Sequence, residues 1–125
     1  MFDAHTTTLY VDNLETSTAF YKRLLGRDPV SFSPTFTVFF QESGARIALW
    51  ARARVEPEAT PPGGFELSFF APSSEAVDEI HGQWKALGIT IVKEPWSTAF
   101  AYSLVAADPD GHRLRVYWPL GAGGG

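Results

Sequence analysis

Apolar positions along the chain change period several times, and each change marks an element. Thr6 to Val11 (TTTLYV) is β-branched and aromatic, the composition of a strand. Asp12 and Asn13 then offer a helix cap, and Ser17, Phe20, Tyr21 and Leu24 recur at i, i+3, i+4 and i+7, one face of a helix. Gly26 fits the residue just beyond that helix, where a left-handed backbone is wanted. Strand-like runs follow at about 29–33, 35–41 and 45–51, with turns at Ser33-Pro34 and Glu42-Ser43-Gly44.

The second half repeats the order. Gly64 to Ala71 (GFELSFFA) reads as a strand. Ser73 or Ser74 caps a helix with Val77, Ile80, Trp84 and Leu87 on one side, and Gly88 ends it. Strand-like runs follow at about 89–93, 99–106 and 112–118, the last after the turn Asp108-Pro109-Asp110-Gly111. The halves align residue by residue: Leu9-Tyr10-Val11 with Phe69-Phe70-Ala71, Leu25-Gly26 with Leu87-Gly88, and Gly44 to Trp50 with Gly111 to Tyr117. The expected fold class is α+β: a single domain of two βαβββ modules, about 5–52 and 64–119, with a Pro- and Gly-rich linker at 53–63. A Gly-rich tail at 121–125 is expected to be mobile.

Composition narrows the function classes. The 125 residues are 45% hydrophobic, enough for a core. A net charge of −4 without basic runs gives no reason to expect nucleic acid or a membrane surface as partner. No apolar run is long enough to span a bilayer, and the N-terminus lacks a signal-peptide pattern. Cysteine is absent, which removes disulfides, thiolate metal sites and cysteine nucleophiles and fits a cytoplasmic location. Aromatic residues make up 14% of the chain, suited either to filling a β-rich core or to lining a pocket for a flat ligand.

Two segments carry a family resemblance. LYVDNLETSTAFYKRLLG (9–26) resembles the first strand–helix signature of the vicinal oxygen chelate superfamily, which includes glyoxalases, bleomycin-resistance proteins and extradiol dioxygenases. DPDGHRLRVYWP (108–119) resembles that superfamily's closing turn–strand signature. The resemblance implies curved mixed sheets around a cleft, and a homodimer. It also implies four metal-ligand positions, which fall here on Thr6, Ala48, Glu66 and Arg115. Threonine is a weak ligand, alanine is none, and arginine keeps its proton, so no metal and no other cofactor is expected. His5 lies one residue before the first position and would need a bulge to face the cleft; His81 and His112 are expected at the surface or its boundary.

Anchored on those positions, strand alternation sorts the residues into two sets. Thr6, Thr8, Tyr10, Arg46, Ala48, Trp50, Glu66, Ser68, Phe70, Arg113, Arg115 and Tyr117 share the cleft face. Leu9, Val11, Ile47, Leu49, Phe65, Leu67, Phe69, Leu114, Val116 and Trp118 share the helix-facing side. The ligand-binding candidates are therefore Thr8, Tyr10, Trp50, Glu66, Ser68, Phe70, Arg115 and Tyr117, joined by Trp96 and Tyr102 from the later strands. Glu66 is the best single candidate for catalysis, with Arg115 as its ion-pair partner. The function expected is a metal-independent binding protein for a planar or amphipathic small molecule, such as an antibiotic, like the bleomycin-resistance members. The alternative is a divalent-metal-dependent lyase, isomerase or dioxygenase of the same superfamily. A metal-free enzyme with Glu66 as base, or a structural module with an unused cavity, completes the set.

Overall fold

The computed structural model describes residues 2–120; the tail at 121–125 lies outside them. The chain divides after Pro62 into two compact units. The first contains β1 (Thr6–Val11), α1 (Leu14–Leu25), β2 (Ser31–Phe32), β3 (Phe36–Phe40) and β4 (Arg46–Ala51), then a single 3₁₀ turn at Arg52–Arg54. The second contains β5 (Glu66–Phe70), α2 (Ser74–Ala86), β6 (Thr90–Ser97), β7 (Ala101–Ala107) and β8 (Arg113–Pro119). Each unit is thus βαβββ, and the fold is α+β.

Both sheets have one topology. The orders are β1-β4-β3-β2 and β5-β8-β7-β6. In each, the first strand runs parallel to the last and the other neighbours are antiparallel. A parallel pair needs a long crossover, and the helix with the two strands that intervene in the chain supplies it.

Local chemistry starts and stops both helices. The Asn13 side chain accepts the Thr16 N–H at 2.9 Å, and the Ser73 hydroxyl accepts the Ala76 N–H at 3.0 Å. α1 ends at Gly26 (φ 66°), whose N–H donates to the Lys22 carbonyl. Its buried face is Ser17, Phe20, Tyr21 and Leu24, as the periodicity predicts. α2 buries Val77 and Trp84, with Ile80 half-buried. Leu87, expected on the same face, is instead the residue that ends the helix, and it is exposed.

Each helix covers one face of its own sheet. In the first unit Leu9, Val11, Ile47, Leu49 and Phe39 are buried on that side, and Phe39 meets Tyr21 of α1 at 6.5 Å between ring centroids. In the second, Leu104, Ala106, Leu114 and Val116 are buried, and Phe69 meets Trp84 of α2 edge-on at 6.3 Å. Burying a Leu or Val side chain contributes roughly 1.5–3 kcal/mol. A one-residue slip of β8 would expel Leu114 and Val116 and turn Arg113 and Arg115 against α2, so the register is fixed by several kcal/mol.

Two expectations about strands and faces are corrected. Phe65, placed among the helix-facing residues, precedes β5 and is exposed. β6 continues to Ser97 rather than stopping near 93. Its pairing with β7 shifts register between Ile91 and Lys93 and again between Lys93 and Trp96. Pro95, which argues against a regular strand, is accommodated in that bulged edge.

Candidate functional site

The face of each sheet turned away from its helix is where the sequence places a ligand, and register fixes what it presents. In the first unit three rows cross the sheet. Thr6, Arg46 and Phe40 form one; Thr8, Ala48, Val38 and Ser31 the next; Tyr10, Trp50 and Phe36 the last. The last row is an aromatic edge. Trp50 meets Tyr10 at 6.4 Å and Phe36 at 6.1 Å, both edge-to-face. At the other end the Arg46 guanidinium lies over the Phe40 ring, 4.8 Å from its centroid. A concavity of about 550 Å³ on this face is lined by Thr6, Phe36, Val38, Phe40, Arg46 and Ala48, together with Val30 and Ser31.

The second unit repeats the plan with more charge. Its rows are Glu66, Arg113, Ala107 and Thr90; then Ser68, Arg115, Val105 and Lys93; then Phe70, Tyr117, Ser103 and Trp96. The last row again carries aromatic residues, with Phe70 and Tyr117 edge-to-face at 6.0 Å. Glu66 reaches diagonally to Arg115. The guanidinium Nε donates to Glu66 Oε2 at 2.6 Å and Nη2 to Oε1 at 3.1 Å, a bidentate pair, and the Ser68 hydroxyl donates to Oε2 at 3.1 Å. Arg115 also faces the Trp96 ring at 5.5 Å, and Lys93 approaches the same ring at 5.4 Å. A concavity of about 390 Å³ on this face is lined by Ser68, Thr98, Phe100, Ser103, Arg115 and Tyr117, with Ala101.

The electrostatics follow from these contacts. Hydrogen bonding from Arg115 holds the Glu66 carboxyl below the ordinary carboxylate range. Partial burial opposes this; the Arg115 charge, the Ser68 hydroxyl and the Arg113 charge add to it. Glu66 is therefore ionised at neutral pH, with both oxygens engaged.

Residues at the family's metal-ligand positions do not fit a divalent cation. Ala48 has no donor atom, Arg115 is a fixed cation, and the Glu66 oxygens already hold it. His5 is exposed ahead of β1, its Nδ1 within 3.0 Å of the Thr6 hydroxyl. Among the described residues no group of three His, Asp or Glu side chains is arranged to hold a metal.

Most of the ligand-binding candidates lie on these two faces. Thr8, Tyr10 and Trp50 share the first unit's face; Glu66, Ser68, Phe70, Trp96, Arg115 and Tyr117 share the second's. Tyr102 does not. It pairs with Trp118 on the helix-covered side of β7, and its hydroxyl donates to Asp78 of α2 at 2.6 Å. That bond raises the Tyr102 pKa. The miss is one of parity: Ser103, not Tyr102, turns to the open face. Lys93, Phe36, Val38 and Phe40 were not singled out, because their strands carry no motif and only pairing with β7 or β4 assigns their faces.

Comparison with known proteins places this architecture. The family described as the glyoxalase/bleomycin resistance protein/dioxygenase superfamily matches residues 4–116. The phenazine antibiotic resistance protein EhpR of Enterobacter agglomerans is 34% identical over 111 residues, 86% of this chain and 85% of its own. A protein of Agrobacterium tumefaciens, solved in solution by NMR, is 48% identical with a TM-score of 0.88, covering 97% of this chain and all (100%) of its own. The crystal structure of a glyoxalase/bleomycin resistance protein/dioxygenase family enzyme from Burkholderia phytofirmans PsJN shares the fold at 24% identity, TM-score 0.80, over 95% of this chain and 100% of that one. With the match running through both βαβββ units, the chain belongs to the glyoxalase/bleomycin resistance protein/dioxygenase superfamily.

Proposed function

We propose that this protein is a metal-independent binding protein that sequesters a planar, amphipathic small molecule, a tricyclic antibiotic of the phenazine type being the best fit. The observation that carries the reading is the aromatic row at one end of each open sheet face: Tyr10, Trp50 and Phe36 in one unit, Phe70, Tyr117 and Trp96 in the other. Flat rings are held by such edges through stacking and burial. The 34% identity to a phenazine antibiotic resistance protein supports the ligand class. Catalytic alternatives are weaker on chemical grounds. Glu66 is a poor general base when Arg115 clamps both its oxygens and holds its pKa down. The donor set, a threonine hydroxyl and a carboxylate already held by Arg115, is too poor to retain a Lewis acid.

The protein works as a cytoplasmic homodimer on this reading. Phe32, Phe40, Phe65, Phe70 and Phe100 are exposed, and a second copy is the natural cover for apolar surface of that extent. Light scattering at the dimer mass supports this part, and a concentration-independent monomer overturns it.

Tryptophan fluorescence tests the main claim. Purified protein in excess chelator is titrated with phenazine. Saturable quenching, weakened about tenfold by Trp50→Ala, is the expected result, since one good aromatic contact is worth roughly 0.5–1.5 kcal/mol. Absence of saturation, or binding that chelator abolishes, refutes it.

A further inference from the structure

The second unit distributes charge unevenly. It contains four cationic residues, Lys85, Lys93, Arg113 and Arg115, against seven acidic ones. Register places three of the four cations, Lys93, Arg113 and Arg115, on the open face, and only Glu66 of the registered acids with them. Lys85, Glu75, Asp78 and Glu79 belong to α2, on the opposite side of the sheet; Asp108 and Asp110 sit in the turn before β8; Glu94 has no registered partner in the bulged stretch of β6. A unit that is negative overall therefore presents a positive open face.

The three cations are not equivalent. Arg115 is satisfied by Glu66. The Arg113 side chain makes no hydrogen bond or ion pair among the described residues and influences Glu66 only through its charge. Among the described residues the Lys93 ammonium has no ion-pair partner and lies 5.4 Å from the Trp96 ring. Two cations without a carboxylate partner thus share the open face with the aromatic row: Lys93 in the row next to it and Arg113 in the row beyond that. Arg115 shares Trp96 with Lys93, so two positive groups approach the one ring, at 5.5 and 5.4 Å. A cationic aromatic would be repelled by this arrangement, and a neutral one would leave both cations without a counter-charge. An aromatic ring carrying a carboxylate or phenolate would satisfy it, the ring on the row Phe70, Tyr117 and Trp96 and the anion on Lys93 or Arg113. In the first unit, Arg46 stands at the position equivalent to Arg113 and no acidic residue is registered on its face, so the bias recurs there.

We infer that the open face of the second unit selects anionic planar aromatics, reading the ring with Trp96, Phe70 and Tyr117 and the negative group with Lys93 and Arg113. This rests on the binding function proposed above and names the class of ligand within it.

A matched pair of probes separates the two claims: the monocarboxylate and the monocarboxamide of the tricycle already used, with the same rings and a different charge. The expected result is about tenfold tighter binding of the carboxylate at low salt, a preference that shrinks as salt is raised. Lys93→Gln and Arg113→Gln should each reduce carboxylate affinity several-fold and leave the carboxamide unchanged. Both residues lie at the surface, and circular dichroism verifies that the variants fold. If the carboxamide binds as tightly as the carboxylate, or if both variants bind the carboxylate like the parent, anion selection fails while ring binding stands. If neither probe saturates the protein, the binding function fails and the selection with it.

Discussion

Replacing Glu66 by Gln and Arg115 by Met, singly and together, isolates the ion pair at the centre of the second unit's open face. The two side chains retain 35% and 27% of their exposure respectively, so the pair is neither buried nor freely solvated. Two unit charges about 4 Å apart attract by about 4 kcal/mol at an effective dielectric of about 20, and desolvation cancels much of that. Fully exposed pairs couple by roughly 0.2–1 kcal/mol. Bidentate geometry at 2.6 and 3.1 Å places this one higher, at about 1–2 kcal/mol. The sign of its pH dependence follows from Glu66, whose carboxyl is held below its ordinary range. The stabilisation is complete above the ordinary carboxylate pKa and is lost as pH falls through the lower value of the folded state. Urea denaturation of the four proteins from pH 7 to about pH 2.5 gives the coupling energy at each pH. A coupling near zero at neutral pH, or one that persists undiminished at the acid end, would refute the account of the pair.

Three further predictions probe the frame around the site. Asp108 is buried, and one of its oxygens accepts the N–H groups of Asp110 at 3.0 Å and His112 at 2.8 Å. Asp108→Ala strands those donors and should cost about 1–3 kcal/mol in urea denaturation, with Asp108→Asn closer to the parent; an unchanged midpoint for the alanine variant would contradict this. Tyr102 titrates above the usual phenol range because it donates to Asp78, so Asp78→Asn should move its absorbance transition to lower pH. Because Tyr102 lies on the helix side, Tyr102→Phe should leave ligand affinity as it was, and a clear loss would return the residue to the site.

Sequence alone determined the βαβββ repeat, because each of its signals is local. Asn13 and Ser73 cap helices through their own side chains, Gly26 tolerates a positive φ, and Leu9, Val11, Leu114 and Val116 alternate with polar neighbours at the strand period. The same alternation brought Glu66, Ser68 and Arg115 to one face, and Tyr10 and Trp50 to another. Strand parity is absolute once an anchor residue is known. What only the tertiary structure decided lies where parity has no local anchor. β6 carries two bulges and Pro95, so the faces of Lys93 and Trp96 depend on pairing with β7. Tyr102 and Ser103 are adjacent in the chain, and register with Trp118 and Tyr117 alone says which turns toward α2. That Arg115 grips Glu66 diagonally, leaving Arg113 opposite Glu66 without a hydrogen bond, is a competition between two guanidinium groups for one carboxylate. Its outcome depends on side-chain geometry across two strands 49 residues apart, which no local pattern encodes.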